Sequence, residues 1–405
     1  MPIGLKILAA VAFYLGFAGL AALFGSLALK GADEKQERLA RLGRRLSFLR
    51  IAGLVLVVLG DDFNPLVDAA ALTLATGVLP LFYAAMLAAY LAPLVAFYAL
   101  MGAVAARYLN RIRGTRLKAS AQAARAALAM AALMLTWLAI YAGRELLPRF
   151  VAGEPLRFLA MVVWAALILS AVAWLNHALA RRSKKRRRDE EARLLPRVSA
   201  LAARAGVRLS RFVYYDSGEE RVANAFASGL FRPTVSVYSH LERNLDPEEF
   251  DAIVAHELAH LKGRDEALRT LVASLGIGVF LLVSEAVGRA FELPRALSLA
   301  VDLYLIVMFV QVLPGIVYRI QERRADAFAA GLVESPAVTA SALRKVYALN
   351  DSDGSRQSRK NGTAHPSLRK RLAALGDTGD TLSDAVPEEP ARPGKDAEMG
   401  GSTGA

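Results

Sequence analysis

The sequence predicts a mainly α-helical, polytopic membrane protein of about seven spans, carrying a small α+β domain outside the membrane. Three observations predict it. The 405-residue chain is 55% hydrophobic, with a mean hydropathy of +0.34. Its apolar residues are bunched: residues 5–29, 126–147, 158–179, 271–290 and 297–317 are each long enough to cross a ~30 Å hydrocarbon core as a helix. Residues 189–268 and those after 318 are instead polar, with the strand and helix signals of a folded soluble domain.

The first run, residues 5–29, reads as an anchor rather than a signal peptide, because its apolar core is too long and no clear small-residue cleavage site follows. Residues 30–50 carry Lys30, Lys35, Arg38, Arg41, Arg44, Arg45 and Arg50, which places this loop in the cytoplasm and the N-terminus outside. Residues 51–59 are apolar but short and are interrupted by Asp61-Asp62, so they lie in the interface, re-enter, or begin a span. Residues 67–108 are long enough for two crossings, with Pro80 and Pro93 as candidate breaks. The next basic loop, with Arg111, Arg113, Arg116 and Lys118, is cytoplasmic by the same rule, so an even number of crossings separates the two basic loops and a hairpin fits. Residues 126–147 then cross outward and 158–179 cross back.

The run from Arg181 to Arg188 is the densest positive cluster in the chain. Directly after a transmembrane helix it fixes orientation and meets anionic headgroups. The net charge of +13 reads the same way, as a topological signal rather than a nucleic-acid surface. The bilayer is the expected partner and nucleic acid is not. The absence of cysteine excludes disulfides and a thiolate metal site.

In the soluble part, residues 190–205 read as an amphipathic helix, and residues 211–215 and 234–239 as strands, with Gly218, Gly229 and Pro233 as punctuation. The next helix is well marked. Asp246 is a candidate N-cap, Pro247 suits the first helical position, Glu249 completes a capping box, and Lys262 and Gly263 close the segment. Within it His256-Glu257-Leu258-Ala259-His260 forms an HExxH pattern. Histidines four apart share a helical face, so both imidazoles can bind one metal ion, while Glu257 reaches the water that the metal activates. A metal hydrolase follows from this motif.

The hairpin formed by 271–290 and 297–317, with Glu292, Pro294 and Arg295 in its turn, returns the chain to the face it left. There Glu322 and Asp326 are four apart and share a helical face. A hydrolytic zinc site commonly takes three protein ligands, and Glu322 is the natural third beside His256 and His260. Asp326 is placed to accept a hydrogen bond from a ligand histidine. Residues 337–349 form another helix, 350–362 a polar loop, and His365-Pro366 leads into a short final helix. Residues 377–405 have little to bury and read as a disordered tail. The expected organisation is a membrane region of about five spans at 1–180, protease segments at 181–268 and 319–376, and the hairpin at 269–318 between them.

With these residues in view, the chain resembles the M48 metallopeptidases, which include the bacterial heat-shock membrane protease and the eukaryotic CAAX prenyl protease. Four blocks carry the resemblance: Asn224-Ala225-Phe226-Ala227, the His256–His260 motif, Glu322 to Asp326, and His365-Pro366 followed by Arg371. It implies a zincin-like protease domain with zinc bound by His256, His260 and Glu322 and with Glu257 as general base. It also implies that Asn224 and His365 lie near the substrate backbone or the oxyanion, and that Arg371 pairs with Asp326. The N-terminal half carries no motif of the CAAX branch. The penicillin-sensing receptor metalloproteases share part of the pattern, including a basic residue and Asp after the HExxH helix, as in Lys262 to Asp265. They would make the chain a transducer that cleaves a cytoplasmic repressor.

The expected activity is zinc-dependent endoproteolysis on the cytoplasmic face, with a protein or peptide as substrate, held extended beside the strand at 234–239. Asp68, Glu285 and Asp302 lie within apolar runs. Two readings stand for them: a water-filled chamber leading to the zinc, or structural pairing near span ends.

Overall fold

The computed structural model describes residues 2–30, 35–59, 66, 79–113, 116–183, 185–217, 223–229, 232–291, 295–350 and 366–377. Among the described residues, five long helices lie in the N-terminal half: α1 (Ile3–Leu29), α2 (Lys35–Leu59), α3 (Leu79–Arg113), α4 (Ala119–Leu146) and α5 (Glu154–Ser183). The soluble part opens with α6 (Arg188–Ala205), then β1 (Arg211–Tyr215), β2 (Ala225–Ser228) and β3 (Thr234–Tyr238), and then α7 (Pro247–Lys262). The hairpin is α8 (Asp265–Ala290) and α9 (Arg295–Ile306). A π-helical stretch at Val307–Val312 leads from α9 into α10 (Leu313–Leu332). The chain closes with α11 (Pro336–Leu349) and α12 (Leu368–Ala374).

Among the described residues, 6 helices are long and apolar enough to cross a membrane: Gly4–Leu29, Leu91–Ile112, Ala119–Arg149, Glu154–Leu175, Asp265–Gly288 and Tyr304–Leu332. The expected hairpin within 67–108 is corrected in part. Pro93 does not break the chain but sits inside the single helix α3, and Tyr14 on α1 donates its hydroxyl to the Pro93 carbonyl at 2.8 Å. That bond ties the two helices together at the proline, which has no N–H to donate to the carbonyl four residues earlier, that of Ala89. Residues 67–78, the rest of that expected hairpin, lie outside the described residues, as does Asp68. The basic segment expected as a loop is helical from Lys35, and residues 51–59 are its apolar end. Leu42, Leu46 and Leu49 of α2 are buried with Phe17 of α1 and with Phe97 and Met101 of α3.

The intramembrane carboxylates follow the structural reading. Asp302 accepts from the Ser284 hydroxyl at 2.7 Å, and Glu285 lies 3.8 Å from Arg144. At ~1.5 Å rise per residue, the 284–285 turn stands roughly 30 Å along α8 from its start at Asp265. These two groups have the partners that the structural reading expects, at the end of the hairpin remote from the HExxH helix.

The main core of the soluble domain is built from both sides of the hairpin. Val198 and Leu201 of α6, Tyr214, Val235 and Val237 of the sheet, and Val254 and Leu258 of α7 pack with Ala340 and Leu343 of α11 and Leu368 and Leu372 of α12. The sheet order is β1-β3-β2, with β1 parallel and β2 antiparallel to β3. Residues beside Arg186 cover the outer side of β1, since Arg187 N–H donates to Tyr214 O at 3.0 Å and Asp216 N–H to Lys185 O at 2.8 Å. The open edge among the described residues therefore belongs to β2. That overturns the expectation that substrate lies beside 234–239, because β3 is the central strand and its backbone groups are paired on both sides.

Candidate active site

The HExxH helix folds as its sequence dictates. Pro247 opens α7, and Asp246 and Glu249 form the capping box, with Asp246 N–H donating to Glu249 Oε2 at 2.9 Å. Val254, Ala255 and Leu258 face the core and are fully buried, which turns His256 and His260 toward α10. Helix α10 comes back from the hairpin against α7 and sets Glu322 and Asp326, each 1% exposed, beside the two rings.

The three donors converge. His256 Nε2 and His260 Nε2 are 3.2 Å apart and lie 3.6 and 3.4 Å from the Glu322 carboxylate oxygens. One ligand atom from each of the three residues lies within 4.8 Å of the other two. Two nitrogens on one tetrahedral zinc at ~2.0–2.1 Å would stand about 3.3 Å apart, so the donor spacing fits that ion.

Each ring is backed by its own carboxylate, and each carboxylate by its own arginine. His256 Nδ1 is 3.0 Å from Asp326 Oδ1, within ion-pair reach though not aligned as a hydrogen bond. Asp326 in turn accepts a forked pair from Arg371, at 2.8 and 2.6 Å. On the other side His260 Nδ1 is 2.7 Å from Asp265 Oδ2, and Asp265 Oδ1 accepts from Arg324 at 2.6 Å. A Cβ at Gly263 would fall 1.9 Å from the Arg324 guanidinium, so the glycine leaves the space that Arg324 crosses. Burial disfavours a charged His256, but the Asp326 and Glu322 carboxylates outweigh it and raise its pKa to about 9. The pKa of His260 is raised in the same way, against burial, by Asp265 and Glu322.

A cavity of about 600 Å³ opens over these groups, lined among others by Asn224, Phe226, Glu257, Glu266, Arg269 and Tyr347. Glu257 points across it to β2, where its Oε2 accepts from Ala227 N–H at 2.7 Å. Asn224 stands exposed beside the cavity, its own carbonyl taken by Tyr238 N–H. Arg269 is fixed by a 2.6 Å bond to Gln321 and by the Tyr318 ring 4.2 Å away. Its guanidinium is 3.8 Å from Glu322. His365 lies outside the described residues.

Sequence reasoning named His256, Glu257, His260, Glu322, Asp326, Arg371 and Asn224, and the structure brings all seven to this cavity or its wall. It gave no site role to Asp265, Glu266, Arg269, Arg324 or Asn350. For Asp265 a signal existed: an acid shortly after the HExxH motif, read only as a family likeness.

The profile of Peptidase family M48 matches residues 188–378, which contain every one of these groups. A Protease HtpX homolog of Janthinobacterium sp. (strain Marseille) is 30% identical over 210 residues, covering 45% of this chain and 70% of the relative. The chain belongs to peptidase family M48. Protease HtpX of Pasteurella multocida is 28% identical over 233 residues, covering 52% of the chain and 80% of that relative. A further profile, BlaR1 peptidase M56, matches residues 79–280; it takes in the HExxH helix but stops short of Glu322. In fold, the crystal structure of S. mikatae Ste24p superposes with a TM-score of 0.59 at 18% identity, covering 93% of this chain and 99% of that one. The N-terminal helices, where sequence offered no motif, thus share that membrane fold. The protein is an integral-membrane M48 protease.

Proposed function

We propose that this M48 protease is a zinc-dependent metalloendopeptidase that cleaves peptide bonds at a cytoplasmic site, within a domain formed by residues 181–268 and 319–376. The convergence of His256, His260 and Glu322, from helices on opposite sides of a transmembrane hairpin, carries this reading. Two imidazoles and one carboxylate suit zinc, and these residues would hold it. When bound, zinc would supply a Lewis acid for the scissile carbonyl and lower the pKa of water toward neutrality.

The chain's own groups do the rest. Asp326 and Asp265 occupy the Nδ1 side of each ring, which aims both Nε2 atoms at one point. Arg371 and Arg324 keep those carboxylates in place. Glu257 takes the proton of the attacking water and later hands it to the leaving amine. Its 2.7 Å bond to Ala227 N–H fixes the carboxylate next to the open edge of β2. Substrate lies extended along that edge, held by its backbone. The Asn224 side chain at the lip orients it, and His365 serves the oxyanion, as the family pattern implies. The basic residues from Arg181 to Arg188 and at Arg319, Arg323 and Arg324 flank the membrane on the side of this domain, which supports a cytoplasmic placement.

The test is cleavage of casein and a peptide panel, in detergent with zinc, by wild type beside Glu257→Gln, with bound zinc measured on both. Wild type should cut. The variant should hold zinc and lose roughly 10²–10⁴ of the rate. If neither protein holds zinc, the ligand assignment is wrong. If both hold zinc and neither cuts anything, the transducer reading suggested by the M56 match takes its place.

A further inference from the structure

The outer edge of β2 is closed at both ends by side chains. In the antiparallel ladder Asn224, Phe226 and Ser228 face β3, as the bond from Tyr238 N–H to Asn224 O shows. The groups of Ala223, Ala225 and Ala227 and the N–H of Gly229 therefore point outward, while Gly229 itself, at φ 96°, turns the chain off the strand. At one end, Asn350 pairs with Ala223 as a strand would: its Nδ2 donates to Ala223 O at 2.6 Å and its Oδ1 accepts from Ala223 N–H at 3.1 Å. At the other end, Glu266 accepts from Gly229 N–H at 2.9 Å. Between them Glu257 holds Ala227 N–H. What stays open among the described residues is Ala225 N–H, Ala225 C=O and Ala227 C=O.

We infer that Asn350 and Glu266 are specificity-determining caps, which restrict the substrate to a short extended segment of about three residues held by three backbone hydrogen bonds. This rests on the proposed protease reading. The peptide must donate two N–H groups, two residues apart, to Ala225 and Ala227, and must accept one bond from Ala225. That inventory is the same whether the peptide runs parallel or antiparallel to β2. A longer strand meets a filled position at Ala223 on one side and at Gly229 on the other. The enzyme therefore takes locally unfolded segments and excludes extended sheet edges. The same caps also protect the open edge from pairing with another chain.

An ester scan tests this without any variant. In a peptide spanning a site at which casein is cut, each amide N–H is replaced in turn by an ester oxygen, and kcat/KM is measured for each. Two positions, two residues apart, should each lose roughly five- to tenfold, with little change elsewhere beyond the scissile bond. Asn350→Ala frees the Ala223 carbonyl and should add a third sensitive position, two residues further along. A merely structural Asn350 would lower the rate at every position alike and add none. Three sensitive positions in wild type, or none, would overturn the inference, as would a folded, active Asn350→Ala with an unchanged pattern. A wild type that binds zinc but cuts no peptide would refute the protease reading instead, and this inference with it.

Discussion

Asp265 Oδ2 lies 2.7 Å from His260 Nδ1, the counterpart of Asp326 beside His256 on the other side of the site. Both carboxylates are 1% exposed, and each is held by an arginine that the chain supplies from α10 or α12. The site is therefore two parallel chains, Arg371–Asp326–His256 and Arg324–Asp265–His260, that meet at Glu322. The first arginine is buried and the second about half exposed, so the two chains differ in how much they add to stability.

Asp265→Asn and Asp326→Asn should each weaken zinc binding by about 10–100-fold, because the orienting partner of one ligand ring is lost. Chelator competition on the purified protein measures this. Unchanged affinity in both variants would detach these carboxylates from the metal centre.

Arg371→Met leaves Asp326 buried without its forked partner. Breaking a buried pair on one side costs about 3–5 kcal/mol, so the thermal midpoint in detergent should fall well below that of wild type. Arg371→Lys should recover part of the loss. Arg324→Met, at a half-exposed position, should cost much less stability while still weakening zinc.

Gly276 on α8 sets how closely the hairpin closes. A Cβ there would stand 2.1 Å from the Phe309 carbonyl oxygen, in the π-helical stretch before α10. This is backbone against backbone, so neither side can rotate away, and small residues are what permit such approach in a membrane. Gly276→Ala should destabilise the protein by about 1–3 kcal/mol. It should also lower zinc affinity, since α10 carries Glu322. A fully stable variant with wild-type zinc binding would show that the hairpin does not position the ligand.

The start of α7 carries a pH-dependent tie. Lys345 on α11 lies 2.9 Å from Asp246 and 2.7 Å from Glu249. Burial opposes the lysine charge, but Glu249 and Asp246 raise its pKa above the usual value, while Lys345 lowers that of Asp246. The raised lysine contributes in full below about pH 10.4 and is lost as pH climbs through its folded value. The lowered aspartate contributes above about pH 3.9 and is lost as pH falls through its folded value. The gap in thermal midpoint between wild type and Lys345→Met should therefore be flat from roughly pH 5 to 9 and shrink in acid. A gap that widens in acid would contradict this pairing.

The sequence by itself determined most of the apolar spans, the HExxH helix and the three residues whose side chains could hold a metal. Each rests on a local rule: unbroken apolar length, cap residues at fixed offsets, or ligands one helical turn apart. Even Glu322, 62 residues past His260, was legible, because the hairpin between them must return the chain to the face it left.

Tertiary structure alone decided the rest. Ala225–Ser228 has no strand alternation and is a strand because β3 pairs with it on one side, while the other side stays open for Glu257 and Glu266. Thr234–Tyr238, with the stronger strand signal, became the central strand, and for that reason is closed to substrate. Pro93 reads as a break in isolation, yet sits inside a helix packed against α1. Asn350 meets Ala223 across 127 residues, a contact no periodicity encodes. Local patterns fix which backbone each segment adopts. Which hydrogen-bonding groups remain unpaired, and so available to a substrate, depends on the neighbours that folding brings to each edge.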